Sequence, residues 1–378
     1  MDTSAPKIRV FGLLEAASVT GPAKNLIGFA QRARPAVEVT IVTFRRPSVP
    51  DQGLLPALER AGIPVRVVNE MRMWDPRVLP QLRRLFRSER PDIIQTHNTK
   101  SHFFLRLMGR SRTAPWIAFH HGFTNRGRKD RAYNHVARWA LKGADRVVAV
   151  CDAFARDLRG AGVRAERVSL RHNFVLPFTA PQPADVDALR TRLGIPAGTQ
   201  VMLAIGRLSQ EKGHADLLQA VAIARQAPDF RLVIAGDGPE RANLEFQRKR
   251  LGIEDIVILA GYQSDVRPFY ALADLLVLPS HSEGSPNVLL EAMSAGLPIV
   301  ATDAGGIIEI ASDGVTALIV PKRDPRAFAA AIQRLRSDAE LARRLADECR
   351  REAARYTPEA YVESMGAIYR SVLDAREQ

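Results

Sequence analysis

Short apolar runs of strand length alternate with amphipathic stretches of helix length along almost the whole chain, and that alternation leaves few folds open. In the first half the runs are Ile8–Leu14, Val37–Thr43, Val65–Val68, Ile93–Thr96, Trp116–His120, Arg146–Val150 and Val168–Leu170. In the second they are Val201–Ile205, Leu232–Ala235, Ile256–Ala260, Leu275–Leu278, Ile299–Ala301 and Ala317–Val320. Such alternation predicts an α/β architecture, parallel sheets covered by helices on both faces. Ligands then collect at the carboxyl ends of the strands, so residues just after each run are the first candidates for chemistry. At 378 residues the chain is too long for one ordinary core, and two domains of roughly 180–190 residues are expected. The Pro-rich stretch 171–185, which loses periodicity, reads as the linker between them.

The stretch His281–Gly306, HSEGSPNVLLEAMSAGLPIVATDAGG, carries the densest signal. It follows the run Leu275–Leu278. Ser285 suits a helix cap, Pro286 its first position, and Ala295-Gly296 with Pro298 its end. A helix opening directly after a strand offers free N–H groups, here of Asn287, Val288 and Leu289, with the positive end of the helix dipole behind them. That is an anion site suited to a phosphate. Glu283 lies before the helix and Glu291 inside it, carboxylates suited to accept sugar hydroxyls. Upstream, Gly206-Arg207 ends a run and Lys212-Gly213 follows at the mouth of a helix. Arginine binds a pyrophosphate as a fork and lysine as a point charge. Gly236-Asp237-Gly238-Pro239 reads as a structural tight turn.

Glu283 and Glu291, with seven residues between them, resemble the E-x7-E signature of retaining, GT-B-fold glycosyltransferases of family 4. GRLSQEKG at 206–213, AGDGP at 235–239 and Gly261-Tyr262 stand in the order and spacing which that family uses. The resemblance covers essentially the whole chain and is tightest in the second half. It implies two Rossmann-like domains facing a cleft: an acceptor-binding domain at 1–175 and a nucleotide-sugar-binding domain at 176–356, with a helix at 357–378 crossing back to the first. It implies Arg207 and Lys212 on the diphosphate, Glu291 on the ribose, Glu283 on the donor sugar and Tyr262 near the base. Gly206, Gly284 and Ser285 join Asn287, Val288 and Leu289 in donor binding. In the first half AFHHGF resembles the family's histidine-glycine turn, making His121 the sugar-contacting histidine, while His97 and the loop glycine Gly21 are acceptor-side candidates. Gly21 stands where the family often has a glycine pair, and Pro22 beside it removes an N–H donor. The implied chemistry is metal-independent glycosyl transfer from a UDP-sugar or GDP-sugar, with no separate cofactor.

Charge is unevenly distributed within the formal net of +13. Residues 1–178 hold 31 Lys and Arg against 14 Asp and Glu, and residues 179–378 hold 23 against 27. The basic first half reads either as a generally basic surface or as a face for anionic lipid, where each basic residue adds about 1 kcal/mol. Residues 76–90, PRVLPQLRRLFRSER, fit both readings: a surface helix whose apolar stripe packs on a sheet, or a membrane-surface helix. The basic loop Arg126–Arg131 extends the same patch. No nucleic-acid module is recognisable, which disfavours a non-catalytic nucleic-acid-binding protein. Two distant cysteines, Cys151 and Cys349, argue against a disulfide framework. MDTSAPKIRV has no signal-peptide core, and no apolar run approaches about 20 residues. The expected place is the cytoplasm, peripheral on the inner membrane face. The expected acceptor is a lipid-linked or polysaccharide precursor, with a soluble small molecule as the alternative.

Overall fold

The computed structural model describes residues 7–109, 112–122, 128–225 and 230–377. The chain divides into two compact units, one formed by Met1–Phe174 with Pro358–Gln378 and the other by Val175–Thr357.

The first unit is built on seven strands: β1 (Ile8–Leu13), β2 (Val37–Arg45), β3 (Val65–Asn69), β4 (Ile93–Thr96), β5 (Trp116–His120), β6 (Arg146–Ala149) and β7 (Val168–Leu170). Their order is β3-β2-β1-β4-β5-β6-β7, and every pairing is parallel. Successive residues of a strand face opposite sides, and at the inner strands both sides are covered, so those strands read as continuous apolar runs. Val10, Ile93, Ile117 and Val148 enter one core, with Leu26, Phe29 and Leu58 from the covering helices. Their chain neighbours Phe11, Ile94, Ala118 and Val147 enter the other, with Leu82, Phe86 and Phe104. The terminal helix Pro358–Glu377 packs on the first of these faces through Met365, Ile368, Tyr369 and Val372.

The second unit repeats the plan with six parallel strands: β8 (Gln200–Ile205), β9 (Phe230–Ala235), β10 (Val257–Gly261), β11 (Leu275–Leu278), β12 (Ile299–Thr302) and β13 (Leu318–Val320). Their order is β10-β9-β8-β11-β12-β13. Val201 and Leu203 serve one core, and Met202 and Ala204 the other. In both sheets the order reverses direction beside the first strand, between β1 and β4 and between β8 and β11. Crevices at the carboxyl ends of strands open at such switch points.

Within the basic stretch 76–90, the helix Val78–Glu89 packs its apolar stripe on the sheet. Val78, Leu82 and Phe86 are all 0 % exposed and belong to the core, so its apolar stripe is committed to the sheet. Only the basic side, with exposed Arg84 and Arg87, remains for a partner. Of the loop Arg126–Arg131, Arg126 and Gly127 lie outside the described residues, and Arg131 alone has a described side chain. Among the described residues no helix is long and apolar enough to cross a membrane.

Burial of histidines gives the fold a pH dependence. It pushes His102 and His120 down to about 3, and His121 and His214 down to about 4. An unfolded histidine titrates near 6.5. Between pH 6.5 and 4 the unfolded chain therefore binds protons that the folded chain refuses, and stability falls as pH falls. Each histidine contributes at most about 1.4 kcal/mol per pH unit in that window. Urea melts are expected to show a lower midpoint at pH 5 than at pH 7; equal midpoints would contradict the burial.

Candidate functional site

In the second unit the predicted residues flank the switch between β8 and β11. Gly206 and Arg207 follow β8, and the segment Ser280–Ser285 follows β11. Lys212 closes the short 3₁₀ turn Gln210–Lys212, and Gly213 behind it takes the left-handed conformation at φ 66°. A Cβ on Gly213 would lie 1.9 Å from the carbonyl oxygen of Pro279, so the Lys212 turn and the post-β11 loop lie backbone to backbone. Gly305, at φ 49°, seats the next loop in the same way, 2.1 Å from the Glu283 carbonyl oxygen for a virtual Cβ. Gly306 N–H also donates to that oxygen at 3.1 Å.

These approaches deliver Lys212 to Glu283. The Lys212 ammonium donates to Glu283 Oε1 at 2.6 Å, and the Ser280 hydroxyl donates to the same oxygen at 2.6 Å. Thr302 in turn donates to the Ser280 carbonyl. Glu283 is 7 % exposed and the Lys212 side chain 24 %. With Oε1 doubly held, Glu283 Oε2 carries no hydrogen bond among the described residues and is the oxygen left for a ligand hydroxyl. A second tie joins the two loops: His281 N–H donates to the Glu211 carbonyl at 2.8 Å, and its ring meets Asp216 at 2.7 Å.

The helix after β11 runs Asn287–Ala295, one residue later than expected. Pro286, at φ −71° and ψ 113°, holds the cap position and makes no side-chain capping bond, so Ser285 is not the cap. The extended ψ of Pro286 keeps it outside the first turn. Leu289 is a second correction. Its N–H donates to the Pro286 carbonyl at 3.1 Å and is not free for an anion. Asn287 and Val288 stand ahead of it in the first turn of the helix. Gly284 and Ser285 sit in the same loop, and Ser285 is buried. Glu291 is half-buried one turn inside the helix, where the Tyr270 hydroxyl donates to its Oε2 at 2.9 Å. Burial raises the Tyr270 phenol well above its ordinary value, with Glu291 adding to the shift, so it remains a donor.

Lys212, Glu283 and their loops are thus brought together, and Arg207 is not brought into that pair. It is exposed, and among the described residues it has no ion-pair partner. Tyr262 is 63 % exposed after β10. Sequence reasoning missed Ser280, Thr302 and Tyr270. Ser280 is adjacent to the flagged stretch, but Tyr270 stands 21 residues before Glu291 with no motif around it.

In the first unit His97 follows β4 and His121 follows β5. His97 Nδ1 and His121 Nε2 are 3.4 Å apart, and the rings stack with centroids at 5.7 Å. Phe119 stacks on His97 at 4.7 Å. They line a small pocket with Pro22, Asn25, Phe29 and Tyr361. His120 is buried elsewhere, against Phe154 at 5.4 Å. Gly21 opens the helix Gly21–Arg32, and Thr20 caps it by accepting from the Ala23 N–H at 3.4 Å. Among the described residues no three His, Cys, Asp or Glu side chains gather as metal ligands.

Two family models cover most of this architecture. Glycosyl transferases group 1 matches residues 185–352, and the glycosyl transferase 4-like domain matches residues 25–173. An alpha-D-kanosaminyltransferase of Streptomyces kanamyceticus is 34 % identical over 256 residues, 64 % of this chain and 66 % of that protein. The lipopolysaccharide core biosynthesis glycosyltransferase LpsE of Rhizobium meliloti is 38 % identical over 158 residues, 42 % of this chain and 46 % of that protein. The chain therefore spans about half to two thirds of these curated relatives. Among solved structures, Anabaena HepE in complex with UDP-glucose superposes with a TM-score of 0.84 at 22 % identity, covering 96 % of this chain and 100 % of HepE.

Proposed function

Because the chain belongs to the GT-B-fold glycosyltransferases, we propose that it moves a sugar from a UDP-sugar or GDP-sugar to a lipid-linked or polysaccharide-type acceptor, with retained anomeric configuration. The observation that carries this reading is the Lys212–Glu283 pair at the mouth of the helix Asn287–Ala295, with Glu291 one turn inside it. Lys212, Arg207 and the amides of Asn287 and Val288 bind the diphosphate. Glu291 receives the ribose hydroxyls, Glu283 Oε2 a donor-sugar hydroxyl, and Tyr262 and Gly206 border the nucleotide. The first unit takes the acceptor, with Gly21 and His97 on that side and His121 against the donor sugar.

In the step proposed, the bond from the anomeric carbon to the leaving phosphate oxygen breaks and the acceptor oxygen bonds to the same face of that carbon. The acceptor proton passes to the leaving phosphate. Charge growing on the diphosphate is met by the two cations and the helix amides, fixed in place before the reaction. These groups replace a metal ion in the reading. The anomeric proton coupling of the sugar released or transferred from an α-linked donor tests it. An α product formed in the presence of EDTA is expected; a β product, or activity lost to EDTA and restored by Mn²⁺, would refute it.

The acceptor side has two readings. Docking on the inner membrane face rests on the basic first half, with the helix Val78–Glu89 offering its basic side while Val78, Leu82 and Phe86 are buried. A soluble small-molecule acceptor is the alternative reading. Co-sedimentation with anionic but not neutral vesicles, fading with salt, is the membrane outcome. Absence of binding to anionic vesicles selects the soluble acceptor.

A further inference from the structure

A hydrogen-bonded chain of four side chains links the terminal helix to His121, all within the first unit. The Tyr369 hydroxyl lies 2.6 Å from Gln95 Oε1. Gln95 Nε2 lies 2.7 Å from His97 Nε2, and His97 Nδ1 lies 3.4 Å from His121 Nε2. Tyr369 is 0 % exposed, Gln95 2 % and His97 7 %.

The direction of the chain follows from its buried end. Gln95 is the hydrogen-bond partner of the Tyr369 hydroxyl among the described residues. If that hydroxyl accepted from the Gln95 amide, its own proton would be buried without an acceptor, at a cost that buried polar groups rarely bear. The hydroxyl therefore donates to Oε1, and the Gln95 NH₂ group faces His97. An amide NH₂ is only a donor, so His97 Nε2 is bare and accepts. A neutral imidazole then carries its proton on Nδ1, which donates to His121 Nε2. His121, accepting through Nε2, carries its own proton on Nδ1.

We propose that Tyr369 is a positioning residue which, through Gln95 and His97, holds His121 in the Nδ1–H tautomer, so that His121 meets its ligand as a neutral hydrogen-bond donor and not as a base. Burial supports the neutral state, pushing His97 well below its ordinary value and His121 down to about 4. The ligand class is an oxygen acceptor, a hydroxyl or ring oxygen of a sugar. That last step rests on the reading of His121 as the donor-sugar contact; the tautomer does not.

Imidazole ¹H–¹⁵N correlation spectra of the full chain at pH 7, labelled in histidine, test the tautomer without any substrate. His121 is assigned by the signal lost in His121→Gln. Wild type is expected to show a protonated Nδ1 and an unprotonated Nε2 at His121. Tyr369→Phe removes the hydroxyl proton that orients Gln95, and a mixture of tautomers is expected. Gln95→Glu offers His97 an acceptor in place of a donor, and both histidines are expected to switch to Nε2–H. Tyr369→Phe keeps the buried ring, and its melting curve checks the fold if Gln95→Glu proves unstable. An Nε2–H His121 in wild type, or an unchanged Nδ1–H in a folded Tyr369→Phe, overturns the proposal. Failure of sugar transfer with the tautomer intact would count against the functional reading alone.

Discussion

Lys212→Ala is expected to weaken nucleoside-diphosphate binding about 10- to 100-fold, since a hydrogen bond to a charged group contributes about 1.5–3 kcal/mol and each 1.4 kcal/mol is tenfold. The substitution also strips Glu283 of its cation. Removing one member of a fully buried pair costs about 3–5 kcal/mol. Lys212 is about a quarter exposed, so water replaces part of the lost interaction and the stability cost is smaller. Calorimetric titration with UDP and GDP separates the two effects when Glu283→Gln is added. The double variant is expected to regain stability, because a neutral amide needs no cation, and to remain weak in binding. Wild-type affinity in Lys212→Ala would remove the diphosphate role from this residue.

Gly213→Ala is expected to be among the most damaging single changes in the second unit. The position has φ 66°, and the new Cβ would sit 1.9 Å from a backbone oxygen that no side-chain rotation can move. The left-handed conformation alone costs about 1 kcal/mol for alanine, and displacing the Pro279 loop raises the total above about 3 kcal/mol. Gly194 supplies the control. Its φ is 64°, yet nothing lies within 4 Å of a virtual Cβ, so Gly194→Ala isolates the conformational part. Thermal melts should show a far larger drop for Gly213→Ala than for Gly194→Ala. Equal drops would mean that the close approach of the two loops carries no energy.

The inner strands were legible because both faces of the sheet are covered there, so burial demanded apolar residues at nearly every position and not at alternate ones. The thirteen runs became β1 to β13 among the described residues, four with the same ends and the rest with ends shifted by one or two residues. Lys212, Glu283 and Glu291 were legible as residue types at the ends of those runs, but their pairing was not. Lys212 and Glu283 are 71 residues apart, and the glycines that let their loops touch act through backbone that no motif describes. Tyr369 and Gln95, 274 residues apart, meet only because the last helix packs on the first sheet. The helix start was misread by one residue because Pro286 suits the first helical position by its φ, whereas its ψ of 113° keeps it at the cap.

Thermal melting of the intact protein with UDP, GDP, ADP, TDP and CMP, in metal-free buffer, tests the central assignment most directly. A ligand that binds only the folded state stabilises by RT ln(1 + [L]/Kd), so a true diphosphate site registers at millimolar nucleotide. The expected result is a rise in melting temperature with one nucleoside diphosphate, lost in Lys212→Ala. No rise with any of the five would contradict a nucleotide site built on Lys212, Glu283 and the helix Asn287–Ala295.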